Sequence, residues 1–127
     1  MRARAVNASD APAPTGGYTQ GLDLSEHDRL LLISGQIPVD VHGAVAEGFT
    51  AQCRLAWANV GSQLRAAGMD ITSLVKVTIF LADRRYAVEN REIRSDVLGD
   101  HQPAMTVIIT GIFDDAWLLE IEAIAAA

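Results

Sequence analysis

The stretch Leu119-Glu-Ile-Glu-Ala-Ile-Ala125, near the end of the chain, alternates in the manner of a β-strand. Successive side chains of a strand point to opposite faces, so Leu119 and Ile121 share one face while Glu120 and Glu122 share the other. Apolar residues also flank the two carboxylates on their own face. Neither face is typical of a surface in water, which favours an oligomer.

Working outward from this strand, hydrophobic periodicity predicts an α+β domain. Residues 74–81 alternate as a strand, and apolar residues spaced three and four apart predict a helix that ends before Gly68. The predicted order is β, β, α, β, α, β, β, with elements at residues 18–24, 29–37, 49–67, 74–81, 86–98, 105–109 and 117–125.

These elements predict a mixed sheet backed by two helices. The first two strands and the last two strands are each predicted to form a hairpin, with the strand at 29–37 buried on both sides. Residues 5–17 are predicted to be an irregular arm. Because the two helices cover only one face of the sheet, the other face needs a partner.

The length of 127 residues predicts a single domain over residues 1–127. No stretch approaches the roughly 20 apolar residues of a membrane-spanning helix, and the segment after Arg2 and Arg4 lacks the apolar core of a signal peptide. We therefore expect a soluble, cytoplasmic protein without membrane contact. The single cysteine, Cys53, is expected to be a buried thiol without a redox role.

The charge balance argues against a nucleic-acid partner. Ten basic and sixteen acidic residues give a formal net charge of −6, which repels a phosphate backbone unless positive charge is concentrated on one face. The one basic cluster, made of Arg84, Arg85, Arg91 and Arg94, is interrupted by acidic residues. No nucleic-acid binding is expected.

The pair Glu120 and Glu122 is the first candidate for chemistry. A carboxylate among apolar neighbours can act as a general base or orient a water; the alternative is that both are solvated groups on an exposed strand face. Ser34 and Gly35 end a predicted strand. A glycine there either lets a ligand approach the backbone closely or forms a bulge.

Two further polar side chains are candidates for ligand contact. Tyr18, in a glycine-rich segment, either offers its hydroxyl to a ligand or packs with its ring. Asn90, on the apolar face of the second helix, either satisfies backbone groups or points into a pocket. The three histidines lack metal-ligand spacing, and no phosphate-binding or dinucleotide motif is present. No metal site and no cofactor are expected.

Three segments resemble the signatures of the RidA/YjgF family of reactive-intermediate deaminases, also named the endoribonuclease L-PSP family. Gly16-Gly-Tyr-Thr-Gln-Gly21 is similar to its G-P-Y-x-Q-G, Ser34-Gly-Gln-Ile-Pro38 to its S-G-Q-I-P, and residues 119–125 to its I-E-I-E-A-I-A. The resemblance covers nearly the whole chain. It implies a chorismate-mutase-like fold assembled as a homotrimer.

The resemblance also implies a site and an activity. Active members of the family hydrolyse enamines and imines in clefts between subunits, releasing ammonia without a cofactor. By resemblance, Glu120 is the catalytic residue that places or activates the attacking water. The residues that would bind the small-molecule ligand are Tyr18, Ser34, Gly35, Asn90 and Met105.

Met105 stands where the resemblance implies an arginine that binds the substrate. The family's P-A-R-[ST] reads Pro103-Ala-Met-Thr106 here, and methionine cannot donate the two parallel hydrogen bonds with which arginine holds a carboxylate. We therefore expect a divergent deaminase-like hydrolase that acts on a C=N bond in an uncharged molecule rather than on a 2-imino acid. The alternative is a non-catalytic trimer that binds a small molecule or a protein, and the sequence leaves open whether the protein is an enzyme.

Overall fold

The computed structural model describes residues 1–127, which form six strands and two α-helices. The strand predicted at residues 74–81 is confirmed, and both helices lie within one residue of their predicted ends. Neither helix combines the length and apolar character that crossing a membrane requires. In chain order the elements are β1 (Arg2–Val6), β2 (Gly21–Ser25), β3 (Leu30–Gln36), α1 (Phe49–Ala66), β4 (Leu74–Leu81), α2 (Ala87–Leu98), β5 (Ala104–Ile109) and β6 (Leu119–Ala126).

The main sheet has the strand order β3-β6-β4-β5, in which only β4 and β5 run parallel. Both predicted hairpins are wrong. β2 pairs with β1 in a separate two-stranded sheet, and β5 and β6 lie on either side of β4. Residues 5 and 6, predicted as part of an irregular arm, belong to β1. Cross-strand contacts between segments distant in sequence, rather than proximity along the chain, decide these pairings.

One face of the main sheet is covered by the helices and forms the core. The apolar stripe of α1 packs on this face, and its Cys53 is fully buried, which raises the pKa of the thiol to about 12. The side chains that β4 and β6 bury on this face alternate along each strand, as expected for a half-covered sheet. They are Val77, Ile79, Leu81, Leu119, Ile121 and Ala123.

The other face of the main sheet carries no helix and displays apolar side chains. Leu32 on β3 is 73% exposed, and Ile108 on β5 is also exposed. In the single chain β3 is therefore buried on one face only, contrary to the prediction, because both helices lie on the opposite side. An exposed apolar face of this kind is typical of a surface that contacts a partner.

Candidate functional site

The N-terminal segment brings Tyr18 to the edge strand β5. Thr19 is buried, and its backbone N–H donates a hydrogen bond to the carbonyl of Pro103 at 3.2 Å. Thr19 also forms an isolated parallel β-bridge with Ala104. Tyr18 consequently lies beside Met105 in a cavity of about 280 Å³, which we call the Tyr18 pocket. The remaining residues that line the Tyr18 pocket are Thr15, Gln20, Arg91, Arg94 and Val107.

The Tyr18 hydroxyl is held by Thr15. It accepts a hydrogen bond from the Thr15 backbone N–H at 3.3 Å and lies 3.4 Å from the Thr15 hydroxyl. These hydrogen bonds lower the pKa of Tyr18, and the positive charge of Arg94 acts in the same direction. The pocket therefore contains an oriented phenol group close to a guanidinium.

Arg94 on α2 is the pocket residue that the sequence reasoning missed. It is only 7% exposed, its Nη1 donates a hydrogen bond to Met105 Sδ at 3.2 Å, and it takes no part in the ion pairs of the chain. Burial lowers the pKa of Arg94, and the neighbouring positive charge of Arg91 adds to this effect. Arg94 follows Asn90 by four residues, and this spacing on the buried helix face was the signal available in the sequence.

Gly35 and Glu120 are in direct contact at the other edge of the sheet. The pairing of β3 with β6 shifts register between Ile33 and Gln36, so Gly35 lies within a bulge-like irregularity. A Cβ atom at position 35 would lie 2.6 Å from Cδ of Glu120, closer than real Cβ contacts allow. Here the glycine forms the irregularity and also lets the carboxylate approach the backbone.

Glu120 lines a second cavity, of about 230 Å³, which we call the Glu120 cavity. The buried amide of Gln52 fixes the loop that leads into β6: it donates to the carbonyls of Ala46 and Ala116 and accepts the backbone N–H of Leu118 at 2.7 Å. These hydrogen bonds hold the residues just before β6, two positions from Glu120. The other residues that line the Glu120 cavity are Phe80, Thr110, Gly111, Ile112 and Phe113.

Two more predicted site residues lie outside both cavities. Ser34 is exposed on the helix-free face, where it lines a third cavity together with Glu122. Asn90 is 2% exposed, and its Oδ1 has no hydrogen-bond partner, which is unusual for a buried amide oxygen. No group of three or more His, Cys, Asp or Glu side chains converges in a way that could hold a metal ion.

Met105 and Glu120 lie on opposite faces of the main sheet. Met105 is paired with Val77 and so shares its helix-covered face, whereas Glu120 is paired with Phe80 on the helix-free face. Moreover, β5 is an edge strand and β6 an interior one. A single chain therefore keeps the Tyr18 pocket and the Glu120 cavity apart.

Comparison with known proteins identifies the family. The family model described as Endoribonuclease L-PSP matches residues 8–127. The chain belongs to the RidA/YjgF family. Both the family prediction and the α+β fold prediction, a mixed sheet with two helices, are thereby confirmed.

Individual RidA/YjgF relatives agree with this assignment. A 2-iminobutanoate/2-iminopropanoate deaminase from Salmonella typhimurium is 42% identical over 81 residues. This alignment covers 63% of this chain and 61% of the relative, which is less than two thirds of the relative's length. The protein of the same name from Rattus norvegicus is 34% identical over 128 residues, covering 96% of this chain and 88% of the relative. The solved structure of the Rid family protein YyfB from Yersinia pestis, a protein of unknown function, superposes with a TM-score of 0.84 over 100% of both chains at 22% identity and so shares the fold.

Proposed function

We propose that this RidA/YjgF protein, acting as one domain over residues 1–127, is a homotrimer that hydrolyses a C=N bond in clefts between its subunits. The observation that carries the proposal is the position of Met105 and Glu120 on opposite faces of one sheet. A site that uses both Met105 and Glu120 therefore needs two chains. The Tyr18 pocket at the β5 edge of one subunit would face the Glu120 cavity of the next. The exposed apolar side chains of the helix-free face supply the surface for this assembly.

In the proposed reaction Glu120 is the general base. Its carboxylate takes a proton from a water molecule as the water oxygen bonds to the imine carbon, and it then passes that proton to the imine nitrogen, which gives a carbinolamine. In the second step the same carboxylate takes the hydroxyl proton of the carbinolamine and gives it to the leaving nitrogen, so the C–N bond breaks and ammonia and a carbonyl compound are released. Gly35 supports this role because only a residue without a side chain leaves the carboxylate in its place.

The substrate is not held by residue 105 in the way that an arginine at that position would hold the carboxylate of a 2-imino acid. Met105 offers a thioether, a weak acceptor with no donor, where a bidentate clamp would orient a carboxylate. The names of the deaminase relatives support C=N hydrolysis as the reaction class. The expectation of an uncharged substrate, drawn from Met105 alone, is weakened by the buried guanidinium beside it.

A second candidate is a trimer that binds a small molecule without turning it over. The observation that favours it is again Met105, because loss of the clamp removes near-attack orientation as well as binding. Native mass spectrometry of the purified protein would distinguish the two. A bound metabolite that is released unchanged after incubation supports the binding protein and contradicts the hydrolase.

The hydrolase is tested by measuring ammonia release from imines generated in situ by an amino-acid oxidase and, as uncharged substrates, from simple imines lacking a carboxylate. Glu120→Gln is expected to reduce the rate by at least about 100-fold, the lower range of general-base catalysis, while leaving the mass of the assembly unchanged. Glu122→Gln, which makes the same change two residues along the same face, is the matched control and should retain activity. Equal rates for wild type and Glu120→Gln would contradict the mechanism.

A further inference from the structure

The guanidinium of Arg94 is a buried positive charge without a negative partner. The residue is 7% exposed, and its one hydrogen bond to another side chain goes from Nη1 to the thioether of Met105 at 3.2 Å. The three ion pairs of the chain all involve other, exposed arginines. Because a buried charge is costly unless it is paired, this arrangement is incomplete as a purely structural one.

The surroundings of Arg94 are suited to an anion. A thioether is a weak acceptor, so it occupies one N–H of the guanidinium without neutralising it, and the other N–H groups keep their donor capacity. The hydroxyl of Tyr18 and the second cation, Arg91, line the same pocket. No carboxylate lines it.

Gly17 leaves one end of the guanidinium accessible. It has a positive φ of 76°, and a Cβ atom there would lie 3.4 Å from Nη2 of Arg94. Any larger side chain at this position would cover Nη2. The loop before Tyr18 therefore approaches the guanidinium with bare backbone and does not cover it with a side chain.

We propose that Arg94 is the anion-anchoring residue of the cleft, and that it holds the carboxylate of a small substrate at a point displaced from position 105 toward α2. This inference rests on the proposed function, since it names the substrate class of the same site. Arg94 on α2 supplies the positive charge that β5 lacks. The side chain of Met105 packs against the guanidinium and moves aside when the carboxylate binds. Arg94 acts on specificity, while the water-activating role stays with Glu120.

The test compares the binding of two stable probes of equal size, 2-oxobutanoate and its uncharged amide, by calorimetry with the full-length protein. Wild type should bind the acid about 10- to 100-fold more tightly, the range of a hydrogen bond to a charged group. Arg94→Met and Arg94→Gln are made in parallel. The methionine variant leaves no unsatisfied buried donor, so at least one folded variant is expected; in either, the preference should fall to within about threefold.

Two further variants make the result specific. Arg84→Gln removes the same charge from an exposed position outside every cavity and should keep the wild-type preference. The exchange Arg94→Met with Met105→Arg moves the guanidinium across the 3.2 Å contact and should restore the preference that Arg94→Met alone loses. A wild type that binds neither probe at millimolar concentration, or binds both equally, overturns the inference, as does an unchanged preference in the folded Arg94 variants.

These binding measurements do not depend on turnover, so the two proposals fail separately. An acid preference that needs Arg94, together with no ammonia release from any imine, would retain the anion site and reject the hydrolase. Ammonia release that needs Glu120, together with no preference for the acid, would retain the hydrolase and reject the anion site.

Discussion

Gly35 and Glu120, 85 positions apart in the chain, touch so closely that a methyl group on Gly35 would overlap the carboxyl group of Glu120. The contact joins two of the three segments that resemble the signatures of the family. The glycine lies in the irregular end of β3, and the glutamate in the regular part of β6. The segment around Gly35, which the sequence alone allows to be a simple bulge, is thus in contact with the candidate catalytic carboxylate of Glu120.

Replacing Gly35 by alanine is expected to displace the Glu120 carboxylate and to lower the rate of C=N hydrolysis by up to about 100-fold, the loss that a displacement of about 1 Å can cause. The measurement is ammonia release at saturating substrate. Gly61→Ala is the control: its Cβ would meet only the flexible end of Arg65 within α1, so stability should rise by about 0.5–1 kcal/mol and activity stay the same. A fully active Gly35→Ala would mean that Glu120 is not held for catalysis by this contact.

Restoring an arginine at position 105 is expected to destabilise the protein. The new guanidinium would lie close to that of Arg94, which already contacts residue 105, and neither would have a carboxylate partner. We expect Met105→Arg to lower the free energy of unfolding by about 1–3 kcal/mol, measured by urea unfolding at pH 7. The double variant Arg94→Met/Met105→Arg should recover most of this loss. An unaltered stability in Met105→Arg would show that Arg94 can turn away from β5.

Introducing a charge on the helix-free face is expected to prevent assembly. Leu32 is exposed there in the single chain, and burying an aspartate against a partner subunit would cost the desolvation of its charge. Light scattering should give the wild type a mass near three times 13.6 kDa and Leu32→Asp a mass near 13.6 kDa. Val88→Asp, a similar change at an exposed position of α2 on the opposite side of the sheet, should leave the mass unchanged. A monomeric wild type would contradict the proposed trimer.

The buried thiol of Cys53 predicts a pH dependence of stability. Burial raises its pKa to about 12 in the folded chain, while the unfolded thiol titrates near 9. A group whose pKa is raised on folding stabilises the fold below the unfolded pKa, and this contribution is lost as pH rises toward 12. Between pH 9 and about 11, urea unfolding should therefore show a steeper loss of stability for wild type than for Cys53→Ala. Parallel curves would show that the thiol is already solvated in the folded state.

The parts of the fold that follow from local periodicity were predictable, and those that follow from pairing were not. α1 and β4 carry long regular patterns, and their bounds agree with the structure to within one residue. β1 alternates arginine with alanine and valine over only five residues, and all five residues are exposed, so burial of a hydrophobic face does not hold it as a strand. It is a strand because β2 lies beside it.

The residues of the candidate site also fall into those that could be predicted from the sequence and those that could not. Tyr18, Gly35 and Glu120 belong to segments whose residue order is distinctive. Arg94, by contrast, is one member of an interrupted basic cluster in the sequence, and only the folded chain buries it and places it beside Met105. The positive charge that is absent from position 105 on β5 is thus present beside it, on α2.

The separation of the Tyr18 pocket and the Glu120 cavity on opposite faces of one sheet has a genetic consequence. If each working cleft takes the Tyr18 pocket from one chain and the Glu120 cavity from its neighbour, a subunit whose Tyr18 pocket is blocked and a subunit that lacks the Glu120 carboxylate are damaged in different halves of the cleft. Co-expressed, two inactive forms would assemble into mixed trimers in which one cleft joins the two undamaged halves. Two null alleles of such a protein would complement each other, whereas two alleles that damage the same half would not.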